Sequence, residues 1–176
     1  KHPVHRSTPG LLKVARFFKE SVEDFRSVVD LLHSGELVAL PTETVYGLAG
    51  DALRSNVVRK IFEVKMRPFI DPLIVHIANY GQVEEIAEPP RELDLLAESF
   101  WPGPLTVVLP KKAKVPDLVT AGLPSVGIRM PSHSYIRKVL QQSGLFLAAP
   151  SANPFGYLSP TRAVHVSNSF GPKVPH

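Results

Sequence analysis

A short apolar run ends in a set of polar residues that could bind a small ligand. Residues 37–40 are rich in strand formers, and Pro41 follows them. Because Pro41 has no N–H for a sheet ladder, we expect a strand to end there. The turn beyond it carries two hydroxyls, a carboxylate and a phenol, from Thr42, Glu43, Thr44 and Tyr46. α/β proteins usually bind ligands where a buried strand ends. Gly47, which has no side chain, would permit the close approach of backbone or of a ligand. An ordinary strand-to-loop exit fits this segment equally well.

Three cations lie where an anion could bind. Lys65 and Arg67 precede Pro68 at the predicted end of a helix. An ammonium beside a planar guanidinium suits phosphates, although such a pair can also simply offset the helix dipole and stay solvated. Arg129 interrupts the apolar segment 126–130, and a buried guanidinium there requires an anionic partner.

Polar residues follow two further predicted strands in the same way, after Pro131 and after Pro150. If these two exits and the one at Pro41 converge, they form a single polar cleft. Ser151 and Asn153 follow Pro150, and by themselves they are also typical of a turn or a helix cap. His76, inside the apolar run 73–77, is either a core histidine or a ligand-binding residue.

Strands and helices alternate along the chain, which predicts one layered α/β domain. We predict a loose leader over residues 1–10 and strands over residues 11–18, 37–40, 72–77, 105–109, 126–130 and 146–149. Helices are predicted from a Ser21 cap to Gly35, from a Ser55 or Asn56 cap to residues 65–67, over 93–100, over 134–143 before Gly144, and after a Ser159 or Thr161 cap. The faces predicted to be buried carry Val22, Phe25, Val29 and Leu32 in the first helix, Val57, Val58, Ile61 and Phe62 in the second, and Leu93, Leu96, Ala97 and Phe100 in the third.

Composition narrows the function classes. The 176 residues contain no cysteine, which excludes disulfides, thiolate catalysis and Cys-ligated zinc and agrees with a cytoplasmic protein. No apolar run approaches the roughly 20 residues that span a bilayer. The net charge of +4 favours anionic ligands such as nucleotides or RNA. The P-loop, dinucleotide-binding, zinc-protease and serine-hydrolase signatures are missing from the sequence.

Five segments in this order resemble the YrdC family. They are the Pro41 to Leu48 segment, Lys65-x-Arg67-Pro68 with residues 72–76, residues 101–106, residues 126–131, and residues 150–153. The resemblance covers roughly residues 20–170. It implies a twisted mixed sheet flanked by helices, classed as α+β in some schemes, with a positively charged concave face. It also implies L-threonylcarbamoyladenylate synthase activity, a nucleotidyltransferase reaction in the threonylcarbamoyladenosine modification of tRNA.

The resemblance also implies site residues and substrates. It assigns L-threonine to Thr42, His76 and Arg129, with Arg129 holding the carboxylate. It assigns ATP to Lys65, Arg67, Ser125, Ser151, Asn153 and Ser159, with Lys65 and Arg67 as the catalytic cations. Bicarbonate is the third substrate, magnesium (Mg2+) would accompany the ATP, and a threonylcarbamoyl transferase complex would act downstream.

The sequence departs from the family pattern at two places. Asp71 stands where the family commonly has Asn, which adds a negative charge near Lys65 and Arg67. The family also continues with a Gly-Gly strand and a G-x-E-S-T segment beyond the position of His176, so we expect the catalytic domain at residues 11–176 to be incomplete at this end. Two alternatives remain: a module that binds tRNA or double-stranded RNA without chemistry, and a carbamoyl-transfer module of the hydrogenase-maturation type.

Overall fold

A six-stranded mixed sheet organises the part of the chain that the computed structural model describes, residues 16–19 and 21–171. Its strands are β1 Val38–Pro41, β2 Tyr46–Asp51, β3 Ile74–His76, β4 Thr106–Pro110, β5 Ser125–Arg129 and β6 Leu147–Ala148. They lie in the order β1-β2-β6-β3-β5-β4. Only β3 and β5 pair in parallel among these strands, with His76 opposite Arg129, and the other neighbours are antiparallel.

Helices cover both faces of the sheet. They are α1 Val22–Ser34, α2 Ser55–Lys65, α3 Val83–Ile86, α4 Leu93–Phe100, α5 Asp117–Thr120, α6 Ser134–Ser143 and α7 Ala163–Phe170, with a 3-10 turn at Tyr80–Gln82. One apolar cluster joins α1 and α6 to the sheet, and a second joins α2 to α5 and α7 to it. Leu48 belongs to the second cluster and its neighbour Ala49 to the first, as strand alternation requires. The predicted mixed sheet flanked by helices is confirmed.

Local signals placed most helices correctly. Ser21 caps α1 by accepting the N–H of Asp24, and Gly35 ends the helix in the left-handed conformation at φ 82°. Gly144 ends α6 in the same way at φ 66°. The expected buried face of α2 is confirmed, since its four predicted apolar residues are all at most 1% exposed.

Two predicted helix caps and parts of two predicted buried faces were wrong. In α2, Ser55 is the first helical residue and the cap position is Arg54, which makes no side-chain capping bond within the described chain. In α7 the cap position is Arg162, and neither Ser159 nor Thr161 takes that role. The remaining errors concern burial: Val22 of α1 and Leu96 and Phe100 of α4 are exposed. The buried residues are Phe25, Val28 and Leu32 in α1, and only Leu93 and Ala97 in α4.

Strand β2 was not predicted. Only residues 42–45 form the turn after β1, and the chain then returns antiparallel to it from Tyr46. Glycine weakens a strand pattern, yet here it is required by packing. A Cβ at Gly50 would lie 2.7 Å from side-chain atoms of both Leu37 and Val57. Close contact with α2, rather than strand propensity, therefore selects this residue.

The predicted first strand lies mainly outside the described residues. Residues 11–15 and the leader 1–10 cannot be compared, and residues 16–18, which are described, are not in a strand. In the described part of the chain, every helix is too short or too polar to cross a membrane.

Candidate functional site

A cleft of about 240 Å³ lies where the predicted polar exits meet. Thr42 and Thr44 line it from the β1–β2 turn, Ser151 from the segment after β6, and Arg129 from the end of β5. The third exit joins them because the backbone N–H of Ser132 donates to Glu43 Oε2 at 3.3 Å. The predicted convergence on one cleft is confirmed for the exits at Pro41 and Pro150, whereas Ser132 lies next to them but outside the described lining. Another cavity, of about 150 Å³, lies among α1, α7 and β1, but its described lining is mostly apolar and aromatic.

Thr42 shapes the turn at the edge of the cleft. Its hydroxyl donates to the carbonyl of Val45 at 2.6 Å and accepts the N–H groups of Thr44 and Val45, each at 3.2 Å. Side-chain hydroxyls commonly build turns in this way. Thr42 therefore holds the turn that faces the cleft, and its hydroxyl proton is already donated within the turn.

Gly47 lets the β1–β2 hairpin lie against the segment after β6. A Cβ at this position would lie 3.0 Å from the carbonyl oxygen of Ala149. The neighbouring backbones bond to each other, from Leu48 N–H to the Pro150 carbonyl and from Ala152 N–H to the Tyr46 carbonyl, each at 2.7 Å. The close approach expected at Gly47 is thus to backbone.

Arg129 lies on the floor of the cleft with much of its hydrogen-bonding capacity unused. Its Nε donates to Thr106 Oγ1 on β4 at 2.9 Å. Its Nη1 is 3.9 Å from Glu43 Oε1, which is an ion pair but too long for a hydrogen bond. Within the described residues, the two terminal nitrogens donate no hydrogen bond. Because the side chain is only 18% exposed, this arrangement suits a carboxylate ligand that takes the free N–H groups.

His76 is a neutral, buried histidine beside Arg129. It is 3% exposed and its Nδ1 lies 3.3 Å from the carbonyl of Leu147, which assigns the ring proton to Nδ1. Burial, reinforced by the positive charge of Arg129, lowers the pKa of His76 to about 4. Because the neutral ring carries its proton on Nδ1, Nε2 is an acceptor at neutral pH. The residue also contributes to the lining of the cleft.

This depressed pKa predicts an acid-sensitive fold. In the unfolded chain His76 binds a proton below about pH 6.5, whereas in the folded protein it does so only below about pH 4. Stability from this group is therefore full above pH 6.5 and falls as the pH drops toward 4. Between pH 7.5 and pH 5 we expect a loss of about 2 kcal/mol in the free energy of unfolding from His76 alone. Urea denaturation of the wild type and of His76→Gln at both pH values measures this loss in the free energy of unfolding. An equal loss in both proteins would contradict the assignment.

Lys65 is buried rather than solvated. It is 1% exposed, and its ammonium donates to the backbone carbonyls of Ser151 and Asn153. Burial, with a smaller contribution from Arg67, lowers the pKa of Lys65 to about 8, so it stays mainly protonated at neutral pH. The solvated-surface alternative is wrong for Lys65. Its ammonium joins the end of α2 to the Ser-x-Asn segment, and thereby ties the two polar motifs together.

Arg67 lines the cleft and is anchored to the segment that follows α2. Its Nη2 contacts Asp71 Oδ2 at 2.8 Å and donates to the carbonyl of Pro72 at 2.9 Å. The structure thus places the Asp71 charge directly against Arg67. The guanidinium side chain is 15% exposed, so it remains the second cation of the cleft beside Arg129.

Asn153 closes the loop behind the cleft. Its Nδ2 donates to the carbonyls of Pro154 at 2.9 Å and Tyr157 at 2.8 Å. Within the described chain its Oδ1 has no hydrogen-bond partner, although the residue is only 4% exposed. The amide therefore organises residues 153–157 and keeps one buried acceptor unused.

Four of the six predicted nucleotide residues are outside the described lining of the cleft. Lys65 and Asn153 adjoin its Ser151 segment through the bonds of the Lys65 ammonium, whereas Ser125 and Ser159 lie elsewhere. Ser125 begins β5 opposite Pro110, at the far end of the strand from Arg129, and Ser159 is exposed. Neither belongs to the described lining of the cleft. Thr106, which holds Arg129, was not singled out from the sequence. Only the β4–β5 register, in which Thr106 faces Arg129, could have identified it.

A family model matches most of this chain. The family model Sua5_yciO_yrdC, described as Telomere recombination, matches residues 30–176. The chain is 48% identical over 159 residues to the threonylcarbamoyl-AMP synthase of Pyrococcus abyssi, covering 89% of this chain and 47% of that protein. It spans about half the length of the curated relatives at this level of similarity.

Solved structures are similar to this chain in fold. The P. abyssi Sua5 structure complexed with L-threonine has a TM-score of 0.85 and 48% identity, covering 92% of this chain and 47% of that one. Full-length HypF in its phosphate- and nucleotide-bound form has a TM-score of 0.75 and 18% identity, and the match covers 84% of this chain and 23% of that one. At that identity the HypF similarity indicates a shared fold and nothing about chemistry.

Proposed function

Because the chain belongs to the Sua5/YciO/YrdC family, we propose that it forms threonylcarbamoyl-AMP from L-threonine, bicarbonate and ATP. The observation that carries this proposal is that two guanidinium groups, Arg129 and Arg67, line one small cleft. One suits the carboxylate of an amino acid and the other suits a phosphate chain. The threonylcarbamoyl-AMP synthase name and the L-threonine complex of the P. abyssi relative support L-threonine and ATP as substrates.

The amino-acid side of the cleft would be formed by Arg129, His76 and the Thr42 turn. Arg129 binds the threonine carboxylate through its terminal N–H groups. Thr106 and the β3–β5 pairing hold that guanidinium in place. Neutral His76 offers Nε2 as an acceptor without adding a second positive charge beside Arg129.

The nucleotide side would be formed by Arg67 and the Ser151 to Asn153 segment, with Lys65 holding that segment in place. Ser125 and Ser159 stay predictions from the family resemblance. The threonine ammonium loses a proton to solvent, and the resulting amine attacks the bicarbonate carbon, so that a C–N bond forms and water leaves. A carbamate oxygen then attacks the α-phosphorus, an O–P bond forms, and the bond to pyrophosphate breaks. The protein contributes positioning and charge neutralisation, so the chemistry needs no protein nucleophile.

Magnesium would enter with the triphosphate as part of the substrate. Among the described residues there is no group of three or more His, Asp or Glu side chains that could hold a metal ion. Transfer of the product to tRNA by a threonylcarbamoyl transferase complex, and a cytoplasmic location, remain part of this proposal.

The two alternatives are less well supported. A cleft of about 240 Å³ suits small molecules better than an RNA duplex, which is bound over an extended basic surface. The hydrogenase-maturation alternative rests on similarity in fold at 18% identity.

Pyrophosphate release tests the proposal. We expect release from ATP only when L-threonine and bicarbonate are both present, because the α-phosphorus is attacked by the carbamate that those two form. Omission of each substrate in turn provides the controls. Release at the same rate without threonine would overturn the proposed function.

A further inference from the structure

The Glu43 carboxylate lies just behind Arg129. Its Oε2 accepts the N–H of Ser132 at 3.3 Å. Its Oε1 is buried and, within the described residues, has no hydrogen-bond partner. The side chain as a whole is 15% exposed. A buried carboxylate with an unsatisfied oxygen is costly, and the bond to Ser132 accounts for only one of the two oxygens.

The contact with Arg129 is electrostatic rather than hydrogen-bonded. Glu43 Oε1 is 3.9 Å from Arg129 Nη1, whereas charge-assisted N–H···O bonds are about 2.7–2.9 Å long. A close bidentate pair would occupy the guanidinium and block a ligand. The longer separation leaves the N–H groups of Arg129 free and still places a negative charge beside its positive one.

The other titratable groups near Arg129 and Glu43 do not neutralise the charges of this pair. His76, the partner of Arg129 across the β3–β5 pairing, is neutral at pH 7. Lys65 donates to the carbonyls of Ser151 and Asn153, and Arg67 is paired with Asp71. Arg129 therefore presents its positive charge to the cleft, and the negative charge of Glu43 lies 3.9 Å from that guanidinium, outside the described lining but close enough for its field to reach a ligand bound there.

A free α-amino acid carries the complementary pattern, because its carboxylate and its ammonium are attached to the same carbon. We propose that Glu43 is a specificity-determining residue that makes the cleft select zwitterionic amino acids over simple carboxylates. Arg129 attracts either ligand through its carboxylate. The field of Glu43 favours the ligand that also carries an ammonium and repels the ligand that does not.

This inference rests on the proposed function and concerns the binding step. The quantity that tests it is therefore the Kd of each ligand. Isothermal titration calorimetry compares L-threonine with 2,3-dihydroxybutanoate, in which a hydroxyl replaces the ammonium. The test variant is Glu43→Gln, which keeps an acceptor for the Ser132 N–H but removes the charge. The matched control is Glu36→Gln, since Glu36 is a half-exposed carboxylate whose ion pair with Lys60 measures 3.4 Å.

We expect wild type and Glu36→Gln to prefer threonine to the same degree. In Glu43→Gln the threonine Kd should rise at least tenfold and the analogue Kd should stay or fall, so the preference drops at least tenfold. An unchanged preference, or a parallel loss of both ligands, would overturn the inference. If Glu43→Gln does not fold, Glu43→Asp decides, because it keeps the charge and should keep the preference within about threefold.

The inference and the proposed function fail separately. Equal affinity of the wild-type protein for both ligands overturns the role of Glu43 while synthesis can still be observed as pyrophosphate release. Wild-type protein that binds neither ligand overturns both.

Discussion

Replacement of Arg129 by lysine is expected to raise the Kd for L-threonine roughly 30- to 150-fold, with the fold intact. The lost interaction is a charge-assisted, forked hydrogen bond, worth about 2–3 kcal/mol, and an ammonium cannot reproduce its geometry. Folding should persist because lysine keeps the positive charge near Glu43, and because the structural bond from Nε to Thr106 is a single one. Calorimetric titration with threonine and thermal unfolding together measure both quantities.

A control separates the binding role from a structural one. Thr106→Val removes the hydroxyl that holds Arg129 Nε but leaves the guanidinium in place, so its effect on threonine affinity should be smaller. If Arg129→Lys instead lowers the melting temperature and leaves the threonine Kd unchanged, Arg129 is a core ion-pair residue and not a ligand-binding one.

Lys65→Ala and Arg67→Ala should separate stability from nucleotide affinity. Lys65→Ala leaves the Ser151 and Asn153 carbonyls without their buried donor. Each such loss costs about 1–3 kcal/mol, and relief from burying the ammonium, whose pKa is lowered to about 8, offsets part of it. We expect a net loss of about 3 kcal/mol, or a melting temperature lower by roughly 6–12 °C. Its ATP affinity should also fall, because the Ser151 to Asn153 segment loosens.

Arg67→Ala should behave differently. Its partner Asp71 is 41% exposed, so loss of this pair should cost about 1 kcal/mol or less in stability. ATP binding should weaken by about 1.5–3 kcal/mol if Arg67 bonds the phosphates. Thermal unfolding and nucleotide titration of both variants make the comparison. Wild-type stability in Lys65→Ala would show that the ammonium does not hold the loop, and unchanged ATP affinity in Arg67→Ala would place that guanidinium outside the nucleotide site.

Local sequence signals predicted the parts of the fold that depend on local chemistry. Ser21, Gly35 and Gly144 mark helix ends through bonds and backbone angles formed within a few residues. Strand β2 was missed because Gly47 and Gly50 are selected by contacts with Ala149, Leu37 and Val57. Those contacts come from other elements of the fold and leave no periodic pattern along the strand itself.

The site was predictable to the same extent. Arg129 was identifiable because a charge inside an apolar segment requires a partner. The role of Lys65 was not, because its ammonium bonds to carbonyls 86 and 88 residues away. The same limit applies to Thr106, which meets Arg129 only through the β4–β5 register. Whether Ser125 and Ser159 contact a nucleotide stays a prediction of the family resemblance.

Mass spectrometry of the reaction product tests the central proposal most directly. The protein is incubated with ATP, L-threonine and bicarbonate carrying a heavy carbon isotope, and the nucleotide products are separated at once. We predict an adduct of AMP and threonine whose mass includes the labelled carbon, and no such adduct when threonine is omitted or when Arg129→Lys replaces the wild type at low threonine concentration. AMP and pyrophosphate without a labelled adduct, or an adduct without the labelled carbon, would contradict it.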